Sequence, residues 1–187
     1  MSLALDDCSD GDLAALALGG RQSAYTALLA RYREPVFRVV RATIGDDDAA
    51  VDVTQETFLS AFAALKSYDS ERPFKTWISR IAINKCRDWA RRRAVRRFFS
   101  FALPIEAAAN IADDTFTADQ QISDRAELAR VQLAIATLPQ AIREPLVLRT
   151  IEGMTQAEAA QVLGISEKAV ETRLYRARAK LTELLRV

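Results

Sequence analysis

The sequence predicts an all-α fold, two small helical domains joined by a flexible linker, and three observations carry that prediction. Apolar residues recur at helical spacing through most of the chain. Only 6 Gly and 5 Pro occur among 187 residues, half of which are hydrophobic, so helices are seldom interrupted and enough apolar surface exists for a core in each half. The helical period then fails from about Ala94 to Gln121, a stretch too long and patternless for a compact connection. The expected division is therefore 1–95, a linker over 96–121, and 122–187.

Taken in order, Asp10 to Leu18 predicts a short helix stopped by Gly19-Gly20. A longer helix follows from about Ser23, with Tyr25, Leu28, Leu29, Tyr32, Val36, Phe37, Val40 and Ile44 at helical spacing. Pro35 interrupts that run and marks a kink or a boundary. Gly45 and three aspartates form the next break, acids favouring a following helix N-terminus. The third helix covers roughly Asp48 to Lys66, with Val51, Phe58, Leu59, Phe62 and Leu65 as its buried stripe. Asp52, Glu56 and Ser60 recur outside it at i, i+4, i+8, with Gln55 near the edge. That acidic stripe suits either solvent or a basic helical partner.

The fourth helix, Phe74 to Arg93, has two faces. Ile78, Ile81, Ala82, Cys86 and Trp89 share the inner one; Arg80, Asn84, Arg87 and Arg91 share the outer one, with Trp77 beside them. Arginine neutralises phosphate, asparagine can read a base edge and an aromatic can stack an unpaired base, so this face suits melted nucleic acid. The competing reading is a basic solvated helix with both tryptophans in the core. Phe98, Phe99 and Phe101 are unusually apolar for a free linker, so part of that segment is expected to dock.

From Ile122 the period resumes, with Leu128, Val131, Leu133, Ile135 and Leu138 expected to face mostly inward. Pro139 suits the first position of the next helix, Pro145 should bend it, and Gly153 should end it. Thr155 and Glu158 make a capping box, Gly164 can take the left-handed conformation of a sharp exit, and Ser166 caps a second helix. At 100° per residue, Val170, Leu174, Ala177 and Leu181 fall on one face of it, while Lys168, Thr172, Tyr175, Arg176 and Ala179 fall opposite. Arg173 and Arg178 lie on the flanks, and small Ala160 lets the two helices approach. This pattern specifies a helix-turn-helix that binds DNA, against the plainer alternative of a basic helical hairpin.

Charge is segregated although the net is only +1. Asp46 to Glu56 carries five acids and no base, Arg80 to Arg97 eight bases and one acid, and Glu106 to Glu127 six acids and one base. Such blocks point to one surface for a polyanion and another for a basic protein. Two distant cysteines and no histidine leave no catalytic residue, metal site or cofactor site to expect. Cys86, on an apolar face, belongs in a core. The opening residues lack the pattern of a signal peptide, and no apolar run reaches membrane-spanning length, so a cytoplasmic protein without membrane insertion is expected.

Three segments in this order, DVTQETFLSAF (52–62), PFKTWISRIAINKCRDWARRR (73–93) and LPQAIREPLVLRTIEGMTQAEAAQVLGISEKAVETRLYRARAKL (138–181), resemble the bacterial RNA polymerase sigma factors of the extracytoplasmic-function (ECF, group IV) family. The resemblance covers about residues 20–93 and 122–186. It implies a region 2 helical bundle and a region 4 helix-turn-helix. It also implies that Asp52, Gln55, Glu56 and Phe58 bind the clamp helices of the polymerase β′ subunit, with β as a further contact. Lys66 to Thr76 would form the loop that captures a flipped minus-ten base, drawing in Lys66, Lys75 and Thr76. Trp77, Arg80, Asn84, Arg87 and Arg91 would contact and help melt that element. Lys168, Thr172, Arg173, Tyr175, Arg176 and Arg178 would meet the minus-thirty-five element, and the linker would thread toward the RNA exit path. Core polymerase, promoter DNA and an anti-sigma factor are the implied partners, with no small-molecule ligand. Glu171 departs from the polar or basic residue expected early in such a helix.

A one-component regulator binding duplex operator DNA is the alternative, and it requires dimerisation and a ligand pocket within residues 1–93. An adaptor that sequesters another factor would leave the arginine row without purpose.

Overall fold

The computed structural model describes residues 5–102 and 121–186, with side chains over 5–99 and 127–186. All regular structure among them is helical. A 3-10 turn at Leu5–Asp7 leads into α1 (Asp10–Leu18), α2 (Gln22–Ile44), α3 (Asp47–Ala63) and a second 3-10 turn at Leu65–Ser67. Then come α4 (Phe74–Ala102), α5 (Gln121–Thr137), α6 (Gln140–Thr150), α7 (Gln156–Leu163) and α8 (Glu167–Leu185).

Helices α1 to α4 form a bundle around Leu13, Leu28, Val40, Phe58, Phe74 and Ile78. Its boundaries follow local chemistry. Ser9 caps α1 in a reciprocal box with Asp12, and Asp46 caps α3 by accepting from the Ala49 N–H. Gly45 closes α2 at φ +68°, a left-handed conformation that costs glycine little. Pro35 neither ends nor divides α2, which runs unbroken across it. Tyr32 donates to the Asp10 carboxylate, and burial first, then that bond, raises the phenol's pKa.

Three expectations need correcting. The buried face of α3 consists of Ala50, Val53, Thr54, Thr57, Phe58 and Ala61, whereas Val51 (46%) and Leu59 (72%) are exposed. Small residues form that face because α2 and α4 approach closely, and Thr57 enters it with its hydroxyl donating to the Val53 carbonyl at 2.7 Å. In the second half, Leu128 (58%) and Leu133 (63%) are exposed, while Ile135 and Leu138 are buried. Helix α4 does not stop near Arg93 but continues to Ala102. Arg92 and Arg93 hold it against α3 through Glu56 (3.1 Å) and Asp46 (3.4 Å), and Arg93 also lies over the Trp89 ring. Phe98 and Phe99 therefore sit on a helix, exposed and edge-to-face with each other. Phe101 and residues 103–120 of the expected linker lie outside the described side chains.

The second core gathers Ile135, Leu138, Val147, Leu148, Met154 and Val170, and it also takes in Val39 from α2 and Ile83 from α4. These two helices thus serve both cores: Val36 and Val40 turn toward the first and Val39 toward the second, as do Ala82 and Cys86 against Ile83. The two halves pack directly, with α7 on α4 and both α5 and α6 on α2.

Candidate nucleic-acid interface

Helix α8 is fixed from its N-terminus. The Thr155 N–H donates to Glu158 Oε2 at 2.6 Å and the Glu158 N–H donates to Thr155 Oγ1 at 3.2 Å, which starts α7. The Thr155 N–H first, and then the Thr155 hydroxyl donating to the same oxygen at 2.8 Å, hold the Glu158 carboxyl below its ordinary pKa. Gly164 turns the chain at φ +67°, and Ser166 caps α8 by accepting from the Ala169 N–H. Gln156 ties the two helices by donating to the Glu167 carbonyl at 3.0 Å. Val170, Leu174 and Ala177 are buried under α6 and α7. The opposite face is open: Lys168, Thr172, Tyr175, Arg176 and Arg178 are exposed, and Arg173 is half-buried on the flank. Glu171 pairs with Lys168 at 2.9 Å, so the acid interrupts a basic face whose neighbour neutralises it. Tyr175, 76% exposed, stands at the centre of this face with its ring in water. Guanidinium groups flanking a planar side chain on a free helix form a surface that a DNA groove can accept.

The second surface, on α4, is only partly open. Lys66, Arg80, Asn84 and Arg91 are exposed, Arg91 pairing with Asp88. Trp77 is half-buried between Tyr68 and Phe74, at 5.3 and 5.2 Å between ring centres. Thr76 is buried at 7% exposure and its hydroxyl has no hydrogen-bond partner among the described residues. Arg87 and Lys75 are held by the other half of the chain. Arg87 grips Glu144 in a two-pronged pair, Nε to Oε1 at 2.9 Å and Nη2 to Oε2 at 2.6 Å. That bond raises the guanidinium pKa. Lys75 Nζ donates to the Glu152 carbonyl at 2.8 Å and lies 3.1 Å from its carboxylate, which Arg38 approaches at 3.8 Å.

Glu144 and Glu152 are residues that sequence reasoning missed. A signal for the first exists, since Glu144 falls on the same helical stripe as Val147, Leu148 and Ile151, where an unpartnered carboxylate would be costly. Its partner could not be read, because Arg87 lies 57 residues away.

The third surface is the outer face of α3. Asp52 and Gln55 are exposed, Glu56 is half-buried and paired with Arg92, and Phe58 is buried at 5%. Exposed Val51 and Leu59 bracket the acids, so this face is apolar as well as acidic. A shallow groove between α2 and α3 runs alongside, lined by Leu29, Phe37, Val51, Gln55 and Phe58. No helix among the described residues is long and apolar enough to cross a membrane.

The chain matches the family models for Sigma-70 region 2 over residues 28–96 and Sigma-70 region 4 over residues 128–181. It is 43% identical over 180 residues to the RNA polymerase sigma factor CnrH of Cupriavidus metallidurans, covering 95% of this chain and 94% of that protein. It is 30% identical to the ECF RNA polymerase sigma factor SigM of Mycobacterium tuberculosis over 177 residues, covering 95% of this chain and 85% of that one. The fold superimposes on CnrH, solved in complex with the cytosolic domain of CnrY, at a TM-score of 0.70 and 39% identity, covering 94% of this chain and 96% of that one. Near-complete coverage of both lengths, added to two Sigma-70 regions in the right order, assigns the chain to the ECF RNA polymerase sigma factors.

Proposed function

We propose that this chain is the promoter-specificity subunit of a bacterial RNA polymerase: it binds the core enzyme, recognises the minus-thirty-five and minus-ten elements, and promotes strand opening. The observation that carries this reading is the open face of α8, a capped and buttressed helix on which Tyr175, Arg176 and Arg178 are exposed and Lys168 pairs with Glu171 of the same helix. In this reading residues 122–187 read the upstream duplex through Lys168, Thr172, Arg173, Tyr175, Arg176 and Arg178. Residues 1–95 carry the minus-ten surface on Lys66, Lys75, Thr76, Trp77, Arg80, Asn84, Arg87 and Arg91. Asp52, Gln55 and Glu56, with Phe58 shaping the groove beneath, take the polymerase clamp. The apolar rim of Val51 and Leu59 supports that role, since a helix that only faced water would gain nothing from exposing them.

No chemical step belongs to this subunit; bond formation is left to the polymerase, and the chain works in the cytoplasm. CnrH is solved in complex with another protein, the cytosolic domain of CnrY, and an anti-sigma factor is proposed as a partner of this chain. In-vitro transcription with core polymerase on a promoter library tests the reading. Sequence-selective initiation on adding the chain is the expected result. Active core that shows no selective initiation would return the operator-binding alternative.

A further inference from the structure

On opening a promoter, Arg87 and Lys75 would need phosphates or bases in front of them, yet each faces a carboxylate from the other half. Glu144 has 2% of its side chain exposed and Glu152 has 3%, so these are interior charges. Interior carboxylates persist only when donors surround them. For Glu144 the donors are both prongs of Arg87, with Gln140 Nε2 at 2.8 Å from its own helix. For Glu152 the cations are Lys75 and Arg38, both from the first half. Two carboxylate groups thus face cations of α4 where backbone phosphates would sit: Glu144 meets Arg87 in the two-pronged geometry that guanidinium uses for either anion, and Glu152 stands 3.1 Å from the Lys75 ammonium. Thr76 is buried in the same stretch of α4. Helix α8 touches α5, α6 and α7 but takes no such part, and its reading face stays free.

We propose that Glu144 and Glu152 act as phosphate surrogates that latch the minus-ten surface shut in the free chain while leaving the upstream-reading helix available. The inference rests on the promoter-binding role above and adds an order to it. The closed chain engages duplex upstream DNA, and it engages the melted strand only after the halves part. Because the binding-competent form is a fraction of the population, the closed state weakens apparent single-strand affinity by that fraction.

The test uses the full chain and a promoter recovered from the transcription library, divided into a minus-thirty-five duplex and a minus-ten single strand, each fluorescently labelled. Two variants open the latch by independent routes. Glu144→Gln with Glu152→Gln removes both charges and preserves shape. Ala136→Arg instead drives a wedge between α5 and the end of α2, where Gly45 abuts Ala136, and leaves both carboxylates intact. Either variant should bind the single strand more tightly by about tenfold, bind the duplex as the parent does, and show a larger radius of gyration in X-ray scattering. Duplex binding confirms that α8 is still folded, and should the double variant fail that control, the wedge carries the test. Unchanged single-strand affinity in a variant that retains duplex binding would overturn the latch alone and leave the promoter-binding role standing. A library that yields no promoter would overturn that role, and the latch with it.

Discussion

Substituting Gly45 by alanine asks how firmly the two halves hold each other. A Cβ added there would fall well inside van der Waals contact of Ala136 Cβ, on α5 of the other half. Two costs arise. Gly45 has φ +68°, and an alanine in that region costs about 1–2 kcal/mol. Forcing two Cβ atoms together costs a further ~1–3 kcal/mol if the packing must absorb it. Ala136→Gly removes the obstacle at a helix-propensity cost of about 1 kcal/mol. In a cycle of Gly45→Ala, Ala136→Gly and the double variant, the backbone terms cancel and only the contact survives. Urea unfolding followed by circular dichroism should give a coupling of about 1–3 kcal/mol. The coupling also has a ceiling: a chain that can part its halves need never tolerate the clash, so the cycle cannot report more than the free energy of closure. A value within about 0.5 kcal/mol of zero, the range of independent sites, would refute close packing of α5 on the end of α2.

Other outcomes follow from the helix-turn-helix and the first core. Arg176→Ala should relax upstream-element discrimination by about 1–3 kcal/mol, read from affinities for matched and mismatched duplexes. Arg178→Ala should weaken all sequences alike and flatten the slope of log affinity against log salt by about one unit. Thr155→Ala should cost about 1 kcal/mol, because the cap of α7 is lost. The Glu158 half of that box has a depressed pKa in the folded chain, so its contribution is full above the ordinary glutamate pKa and is lost as pH falls through the folded value. Acid titration of parent against Glu158→Gln should show the gap in stability closing in that direction. Burial pushes the Cys86 thiol pKa up to about 12, so a thiol reagent at pH 8 should modify Cys86 only as the chain unfolds. Modification at the rate of a free thiol would place Cys86 outside the core.

What could be read from sequence was whatever local chemistry decides. Thr155, Glu158, Gly164 and Ser166 act on backbone groups within a few residues of themselves, and the helix-turn-helix forms as they dictate. The apolar stripe of α8 was equally plain, because it is amphipathic with large residues on one side. Helix α3 misled for the opposite reason: its packed face uses Ala50, Thr54, Thr57 and Ala61, so ranking by hydrophobicity selects Val51 and Leu59 instead. The helical pattern read as failing just after Arg93, yet Arg92 and Arg93 find Glu56 and Asp46 and the helix continues to Ala102. The partners of Glu144 and Glu152 lay beyond reach, since only tertiary structure brings Arg87 and Lys75 to them. The surfaces were legible as faces; which of them the chain covers with itself was not.

Val39 at 1% exposure and Ile83 at 0% have a consequence for the opened protein. Both stand on the first half, yet their neighbours are the apolar residues of the second. Parting the halves would wet two greasy side chains that no polar group can compensate, leaving a sticky spot beside the arginine row. A chain opened in isolation should therefore self-associate at concentrations where the closed one stays monodisperse. A large protein host that shields this spot would make opening easy in its presence and rare in its absence.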